Sequence, residues 1–180
     1  PWKLPDLDKL SKINTKIIKK TKDEKFLPYK RDEKTLSRDW AIPGTVGLEH
    51  RIGGLEKTDK TGNVSYDPDN HHHMVELRQQ KIDIISNFIP EVKPYGKDKG
   101  DLLIVGWGGT YGAIRAAVKK ANKNNLSVSQ IHLKHMNPLP KNLGEVLLKY
   151  NKVLIPEINL GQLSNIIRSK YLIDTLNYNR

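Results

Sequence analysis

Three short apolar runs, each followed by a helical period, constrain this chain more than any other feature. The runs are Leu102 to Trp107, Val128 to Met136 and Val153 to Ile158. Each is of strand length and bounded by Gly, Asn or Pro. Between them, Ile114, Ala117, Val118 and Ala121 recur at i, i+3, i+4 and i+7, which predicts a helix over about 110–122. Leu143, Val146, Leu147 and Tyr150 predict a second helix, with Asn142 and Glu145 spaced as a capping box. Leu163, Ile166, Ile167 and Tyr171 predict a third. The order from 101 to about 172 is β-α-β-α-β-α. Strands that are apolar throughout, alternating with amphipathic helices, fold as a parallel sheet covered on both faces. The predicted fold class is α/β, a three-layer sandwich around a mainly parallel sheet.

Nothing comparable organises the first third. Residues 1–46 carry Pro1, Pro5, Pro28 and Pro43, many charges and no sustained apolar period, so they read as an irregular linker. Ile13, Ile17 and Ile18 supply one helical turn at most. Trp2, Phe26, Leu27, Tyr29 and Trp40 are scattered anchors. Residues 47–66 are loop-like, punctuated by Gly47, Gly53, Gly54 and Gly62. Asp67-Pro68-Asp69-Asn70 has turn and N-cap chemistry. Met74, Leu77, Ile84, Ile85 and Phe88 then share a helical face, predicting a helix at roughly 70–88 that stops at Ile89-Pro90. The expected organisation is 1–66 linker and loop, 67–95 helix and connection, and 96–180 α/β domain. A segment such as 1–66 buries too little surface to offset an ordering cost of about 1–2 kcal/mol per residue, so it is expected to dock on something.

Composition narrows the function. Among 180 residues no apolar run approaches the ~20 that a spanning helix needs. The chain opens at Pro1 with no apolar leader and no Met, which reads as a beginning inside a longer gene product with a cytoplasmic setting. With no cysteine, it can form no disulfide, use no catalytic thiol and hold no cysteine-ligated iron–sulfur cluster. The net charge is +11, densest at Lys16, Lys19, Lys20, Lys22 and Lys25. Aromatics are 7% and none interleaves with that run, so it reads as a solvated face or a contact for an acidic partner rather than a nucleic-acid site.

One motif sits where α/β proteins place ligands. Gly106-Trp107-Gly108-Gly109-Thr110-Tyr111-Gly112 joins a strand to a helix, and such a turn can offer backbone N–H groups to an anion. Gly108, Gly109 and Thr110 are the anion candidates. The spacing is one residue off the dinucleotide fingerprint, and no acid closes the second strand, where His132, Lys134 and His135 stand instead. Glycines here also serve simply to pack helix on strand. His71-His72-His73 on a helix point three ways and suit surface positions rather than one zinc. There is no P-loop, no nucleophile motif and no metal-ligand spacing, so the chain alone is expected to catalyse nothing.

Six stretches together resemble one family: Thr45–Glu56, Thr61–His71, Gly106–Gly112, His135–Pro140, Asn142–Gly144 and Pro156–Gln162, with Trp2–Asp6 at the start. They are similar to the C-terminal part of the alpha subunit of 2-oxoacid:ferredoxin oxidoreductases, the 2-oxoglutarate branch in particular. Many members carry acids after the Glu49-His50 pair, where this chain has Arg51-Ile52. The resemblance implies a transketolase C-terminal-like domain used in assembly. It implies that an upstream pyrimidine-binding domain of the same subunit, a beta subunit and ferredoxin are partners, in an oligomer. It places thiamine diphosphate, Mg2+ and an iron–sulfur cluster in the holoenzyme, with no cofactor on this chain. Glu49 and His50 are the residues it brings nearest an active site, the alternative being that they only hydrogen-bond the loop to its own domain. The competing reading is a stand-alone nucleotide- or anion-binding module using the 106–112 turn.

Overall fold

The computed structural model describes residues 4–13, 15–22 and 24–180. Trp2 and Lys3 of the Trp2–Asp6 stretch lie outside them. The chain divides into two compact units, 1–81 and 82–180.

In the second unit four parallel strands stand in the order β4-β3-β5-β6: β3 (Gly100–Trp107), β4 (Val128–Leu133), β5 (Tyr150–Glu157) and β6 (Leu176–Asn179). Helix α2 (Tyr111–Lys123) follows β3, α3 (Leu143–Leu147) follows β4 and α4 (Gln162–Tyr171) follows β5. Side chains alternate across each strand. Leu103 and Val105, Ile131 and Leu133, Val153 and Ile155 enter one core with Leu143, Val146, Leu147, Leu163 and Ile167. Ile104 and Val128 face the other way and pack with Ile114 and Val118 of α2. The three predicted strands are thus parallel and covered on both faces, which gives the three-layer α/β architecture.

Four local readings need correction. The second strand ends at Leu133, three residues short of Met136. Asn142 forms no capping box. Its side-chain amide clasps Val92 instead, Nδ2 donating to the carbonyl at 2.9 Å and Oδ1 accepting from the N–H at 3.0 Å. The clasp secures the segment that leads into β3, where Tyr95 also exchanges two backbone hydrogen bonds with Gln130. Among the glycines of the 106–112 turn only Gly106 is needed for helix packing: an added Cβ would lie 2.5 Å from Ile114 Cδ1, whereas Gly108, Gly109 and Gly112 have open space. Fourth, Tyr150 opens β5 and is no part of the helix read from Leu143, Val146 and Leu147, which ends at Leu147; β6, a four-residue alternation with every residue exposed, was not expected.

The first unit holds a small parallel pair, β1 (Ile17–Ile18) with β2 (Trp40–Ala41), inside the stretch read as linker. A hairpin brings Lys57 opposite Val64. At its tip Gly62, with φ +73°, passes so close to Pro28 and Tyr29 that an added Cβ would sit 2.8 and 2.9 Å from their side chains. The helix α1 (Pro68–Ile85) begins as its sequence predicts. Asp67 Oδ1 accepts from Asn70 N at 2.8 Å, and Pro68 takes the first helical position. Its apolar face is less buried than expected: Met74 is 1% exposed, but Ile85 is 44% and the following Phe88 is 75% exposed.

The three histidines at the start of α1 do point three ways. His71 pairs with Glu56 at 2.7 Å, His72 with Glu76 and His73 with Asp59, both at 3.4 Å. Glu56 also takes both arms of the Arg78 guanidinium, at 3.2 and 3.3 Å. Arg78 chiefly, against the opposing effect of burial and with help from His71, brings the Glu56 carboxyl from 4.5 down to about 2. A carboxyl depressed on folding stabilises above its unfolded value and loses that stabilisation as pH falls through its folded one. Acid should therefore loosen this tie between about pH 4.5 and about pH 2. Arg78→Ala should move the Glu56 carboxyl back toward 4.5 and cost about 1 kcal/mol, the scale of a partly solvated pair. Carboxyl-carbon NMR titration reads the shift. An unmoved carboxyl would assign the depression to another group.

Candidate functional site

Two consecutive turns build the loop that carries Glu49 and His50. Ile42-Pro43-Gly44-Thr45 closes with Thr45 N donating to the Ile42 carbonyl at 3.1 Å, and Thr45-Val46-Gly47-Leu48 closes the same way at 3.1 Å. Gly44 at φ +85° and Gly47 at φ +78° occupy the third turn position, where a type II turn requires positive φ. Leu48, 3% exposed, anchors the end of the second turn. Lys57, 2% exposed, ties down the adjoining segment: its Nζ donates to the carbonyls of Gly53, at 2.7 Å, and Leu55.

Glu49 and His50 then stand together on the wall of a cavity of about 400 Å³, with Arg38, Trp40, Ile42 and Ile52 among its other lining residues. His50 Nδ1 donates to the Leu48 carbonyl at 2.8 Å, which leaves Nε2 as the acceptor nitrogen. The imidazole meets the Phe26 ring edge-on, centroids 5.3 Å apart. Both Glu49 and His50 are exposed, and Ile52 is 77% exposed. Held at one nitrogen and bare at the other, His50 can accept or relay a proton, with the Glu49 carboxylate next to it in the chain. Arg38 and Trp40 were not singled out by sequence reasoning as site residues. The β1–β2 pairing that places Trp40 is two residues long, and Arg38 is placed by an isolated bridge to Arg31, so neither leaves a periodic trace.

The other candidates, Gly108, Gly109 and Thr110, form a 3-10 turn between β3 and α2 in the second unit. The Thr110 hydroxyl is engaged within the turn, donating to the Trp107 carbonyl at 2.7 Å and accepting from Trp107 N at 3.2 Å. His132 lies half-buried beside them, edge-on to Tyr111 with centroids 5.2 Å apart. Burial pushes its imidazole below the ordinary value; the Gly108 backbone opposes this and the Lys134 charge adds to it. His135 is exposed on the loop beyond. Among the described residues no three His, Asp or Glu side chains are grouped to hold a metal, and no helix is long and apolar enough to cross a membrane.

Comparison with known proteins gives one consistent answer. The 2-oxoglutarate oxidoreductase subunit KorA of Mycobacterium tuberculosis is 49% identical over 177 residues, 97% of this chain. The alpha subunit of 2-oxoacid:ferredoxin oxidoreductase 1 of Aeropyrum pernix is 30% identical over 173 residues, 92% of this chain. This chain belongs with the alpha subunits of 2-oxoacid:ferredoxin oxidoreductases. It spans about a quarter, 26%, of the length of either relative. No family model matches it. Among solved structures, a 2-oxoglutarate:ferredoxin oxidoreductase from Magnetococcus marinus, with 2-oxoglutarate, coenzyme A and succinyl-CoA bound, superposes with a TM-score of 0.85 at 29% identity. That match covers 97% of this chain and 30% of the other. Membership of the family explains why the six stretches occur together and in that order.

Proposed function

We propose that this chain serves the alpha subunit of a thiamine-diphosphate-dependent 2-oxoglutarate:ferredoxin oxidoreductase, as a domain of assembly that is not itself catalytic. The observation that carries the reading is the 49% identity to a 2-oxoglutarate oxidoreductase subunit over 97% of the chain. In the holoenzyme 2-oxoglutarate, CoA and oxidised ferredoxin would give succinyl-CoA, CO2 and reduced ferredoxin. A pyrimidine-binding domain of the same subunit, a beta subunit and ferredoxin would be the partners, and the complex would work in the cytoplasm. Thiamine diphosphate and Mg2+ would sit on those other parts. The residues here do not fit an iron–sulfur cluster, because the chain has no cysteine to ligate one.

Within that frame Glu49 and His50 would face the holoenzyme active site. What supports this is a contrast among the family-like stretches. Gly62, Gly106 and Gly144 fill places where a side chain would collide, and Asn142 and Glu157 are tied into the fold by hydrogen bonds. Glu49 and His50 are exposed on a cavity wall.

The test is made in the complete complex, with 2-oxoglutarate as substrate and a viologen acceptor. His50→Ala should lower turnover roughly tenfold or more while assembly survives, the scale of a lost positioning contact. Unchanged assembly and turnover would make the loop scaffold. The isolated 180 residues should show no turnover at all. Turnover with pyruvate and none with 2-oxoglutarate would overturn the substrate assignment while leaving the family intact.

A further inference from the structure

The two edges of the four-stranded sheet are finished differently. At the β4 edge Tyr95 exchanges two backbone hydrogen bonds with Gln130, at 2.7 and 2.9 Å. The Asn122 amide holds both the N–H and the carbonyl of Val128, each at 3.0 Å. The outward backbone groups of Val128 and Gln130 are thereby occupied. At the other edge stands β6, and no strand among the described residues pairs with its outer side. Its sequence, Leu176-Asn177-Tyr178-Asn179, holds no charge and no proline, the devices that commonly keep an edge from pairing.

Both the backbone and the side chains of β6 are sorted. Arg180 N donates to the Glu157 carbonyl at 3.1 Å. Backbone groups alternate sides along a strand, so those of Leu176 and Tyr178 also face β5, and those of Asn177 and Asn179 turn outward. The Asn177 side chain accepts from Ser164 Oγ of α4, which puts Leu176 and Tyr178 on the face away from α4. There they extend the apolar surface of β5, Leu176 in register with Leu154 and Tyr178 with Pro156. Helix α2 packs on this face over Ile104 and Val128, of β3 and β4. Leu176 and Tyr178 are left 47% and 55% exposed. Parallel sheets are ordinarily covered on both faces, so an open edge and a bare apolar strip coincide at β6.

We propose that β6 pairs antiparallel with β6 of a second copy of this chain, about a two-fold axis at Asn177, joining two sheets into one. The residues select this register. With Asn177 opposite itself, its outward N–H and carbonyl exchange two hydrogen bonds across the axis. Leu176 then stands opposite Tyr178 of the second copy, an aliphatic–aromatic pair made twice on the bare face. Asp174, its side chain 81% exposed although it also meets Arg168 of its own chain, stands opposite Arg180 of the second copy. The charges that flank the strand are thus complementary, and an axis at Leu176 or Tyr178 would separate them. Such a contact is self-complementary and closes at two copies. The inference rests on the reading of this chain as an assembly domain for its setting, and on the β6 edge for its geometry.

Cysteine pairing in the complete complex tests the register. Cα atoms of a non-hydrogen-bonded antiparallel pair lie about 4.5 Å apart, within reach of a disulfide. Two alpha subunits, one with Leu176→Cys and one with Tyr178→Cys, should therefore cross-link under mild oxidation. Leu176→Cys alone puts its two thiols out of register, and its yield should be roughly tenfold lower. Asn177→Pro removes the outward N–H and spares the bonds to β5, so the two alpha subunits should separate at a roughly tenfold higher concentration. Hydrogen exchange of the β5 amides shows whether the sheet is intact in that variant. Should the proline disrupt it, Arg180→Glu replaces it and should weaken association severalfold, and adding Asp174→Arg should restore it. Turnover with 2-oxoglutarate reports on the proposed function separately. Equal cross-linking of the mixed and single variants, or none in either, overturns the proposal. So does protection of the Asn177 amide in a dilute, unassociated alpha subunit, which would show the edge filled by another segment of the same chain.

Discussion

Glu157→Ala should unseat the far end of the sheet at a cost of about 3–4 kcal/mol, because four donors converge on one buried carboxylate. Glu157 closes β5 and is 3% exposed. Its Oε1 accepts from Leu163 N at 2.9 Å, and its Oε2 from Ser164 N at 3.1 Å. Those are two of the N–H groups that the first turn of α4 cannot satisfy internally. Trp107 Nε1, at the end of β3, donates to Oε1 at 3.2 Å, as does Asn159 Nδ2. A negative charge at this point also meets the positive end of the α4 dipole. Alanine would leave two buried amides and an indole N–H without acceptors. Glutamine keeps one acceptor oxygen but turns an NH2 toward donors, so about half of the loss should remain. Hydrogen exchange of the β3 and β5 amides in the full subunit reads the effect locally, where whole-protein unfolding of a multidomain chain would blur it. A loss below about 1 kcal/mol in the alanine variant would mean that water takes over the acceptor role.

The same corner explains why part of the molecule was readable from sequence and part was not. Leu102–Trp107, Val128–Leu133 and Val153–Glu157 are strands because continuous apolar runs have only one place to go in a chain of this size, the middle of a covered sheet. Their parallel pairing followed from the helices between them. Strand β6 escaped notice because Leu176-Asn177-Tyr178-Asn179 offers only a four-residue alternation, and all four residues are exposed. It is held by register with β5 and by side chains of α4: Ser164 Oγ meets Thr175 Oγ1 at 2.8 Å and Asn177 Oδ1 at 2.7 Å. Such contacts join residues across a turn and have no period. The Asn142 reading failed for a related reason. A capping box is a local pattern, and a partner 50 positions away, Val92, took the amide instead. In the first unit the gap was wider. Two linked type II turns, a buried lysine and a two-residue strand pair order a stretch with no apolar period, and none of these leaves more than Pro43-Gly44 as a trace. Glu49 and His50 were singled out through family resemblance alone. Their cavity was not, because Trp40 is placed by the two-residue β1–β2 pairing and Arg38 by a single bridge to Arg31.

Two neighbours on β3 give the sharpest test of the layering. Leu103 and Ile104 are adjacent, belong to the strand paired on both sides, and point to opposite faces. Leu103 is fully buried, in a core of 13 residues fed by β3, β4, β5, α3 and α4. Ile104 is 8% exposed, in a core of four that α2 alone covers. The truncation cost of a buried side chain is a transfer contribution plus a cavity contribution, and the second grows where neighbours cannot relax inward. Around Leu103 the walls come from two helices and three strands, so a hole should persist. Around Ile104 one helix can settle toward the sheet. Leu103→Ala should therefore cost about 3–4 kcal/mol and Ile104→Ala about 2 kcal/mol, within the range for large-to-alanine changes in cores. The measurement is again hydrogen exchange of β3 and β5 amides in the full subunit, the two variants side by side. Equal losses would mean that α2 is held as rigidly as the opposite layer, by contacts beyond its own small core. A larger loss for Ile104→Ala would reverse the assignment of which face carries the stability of this domain.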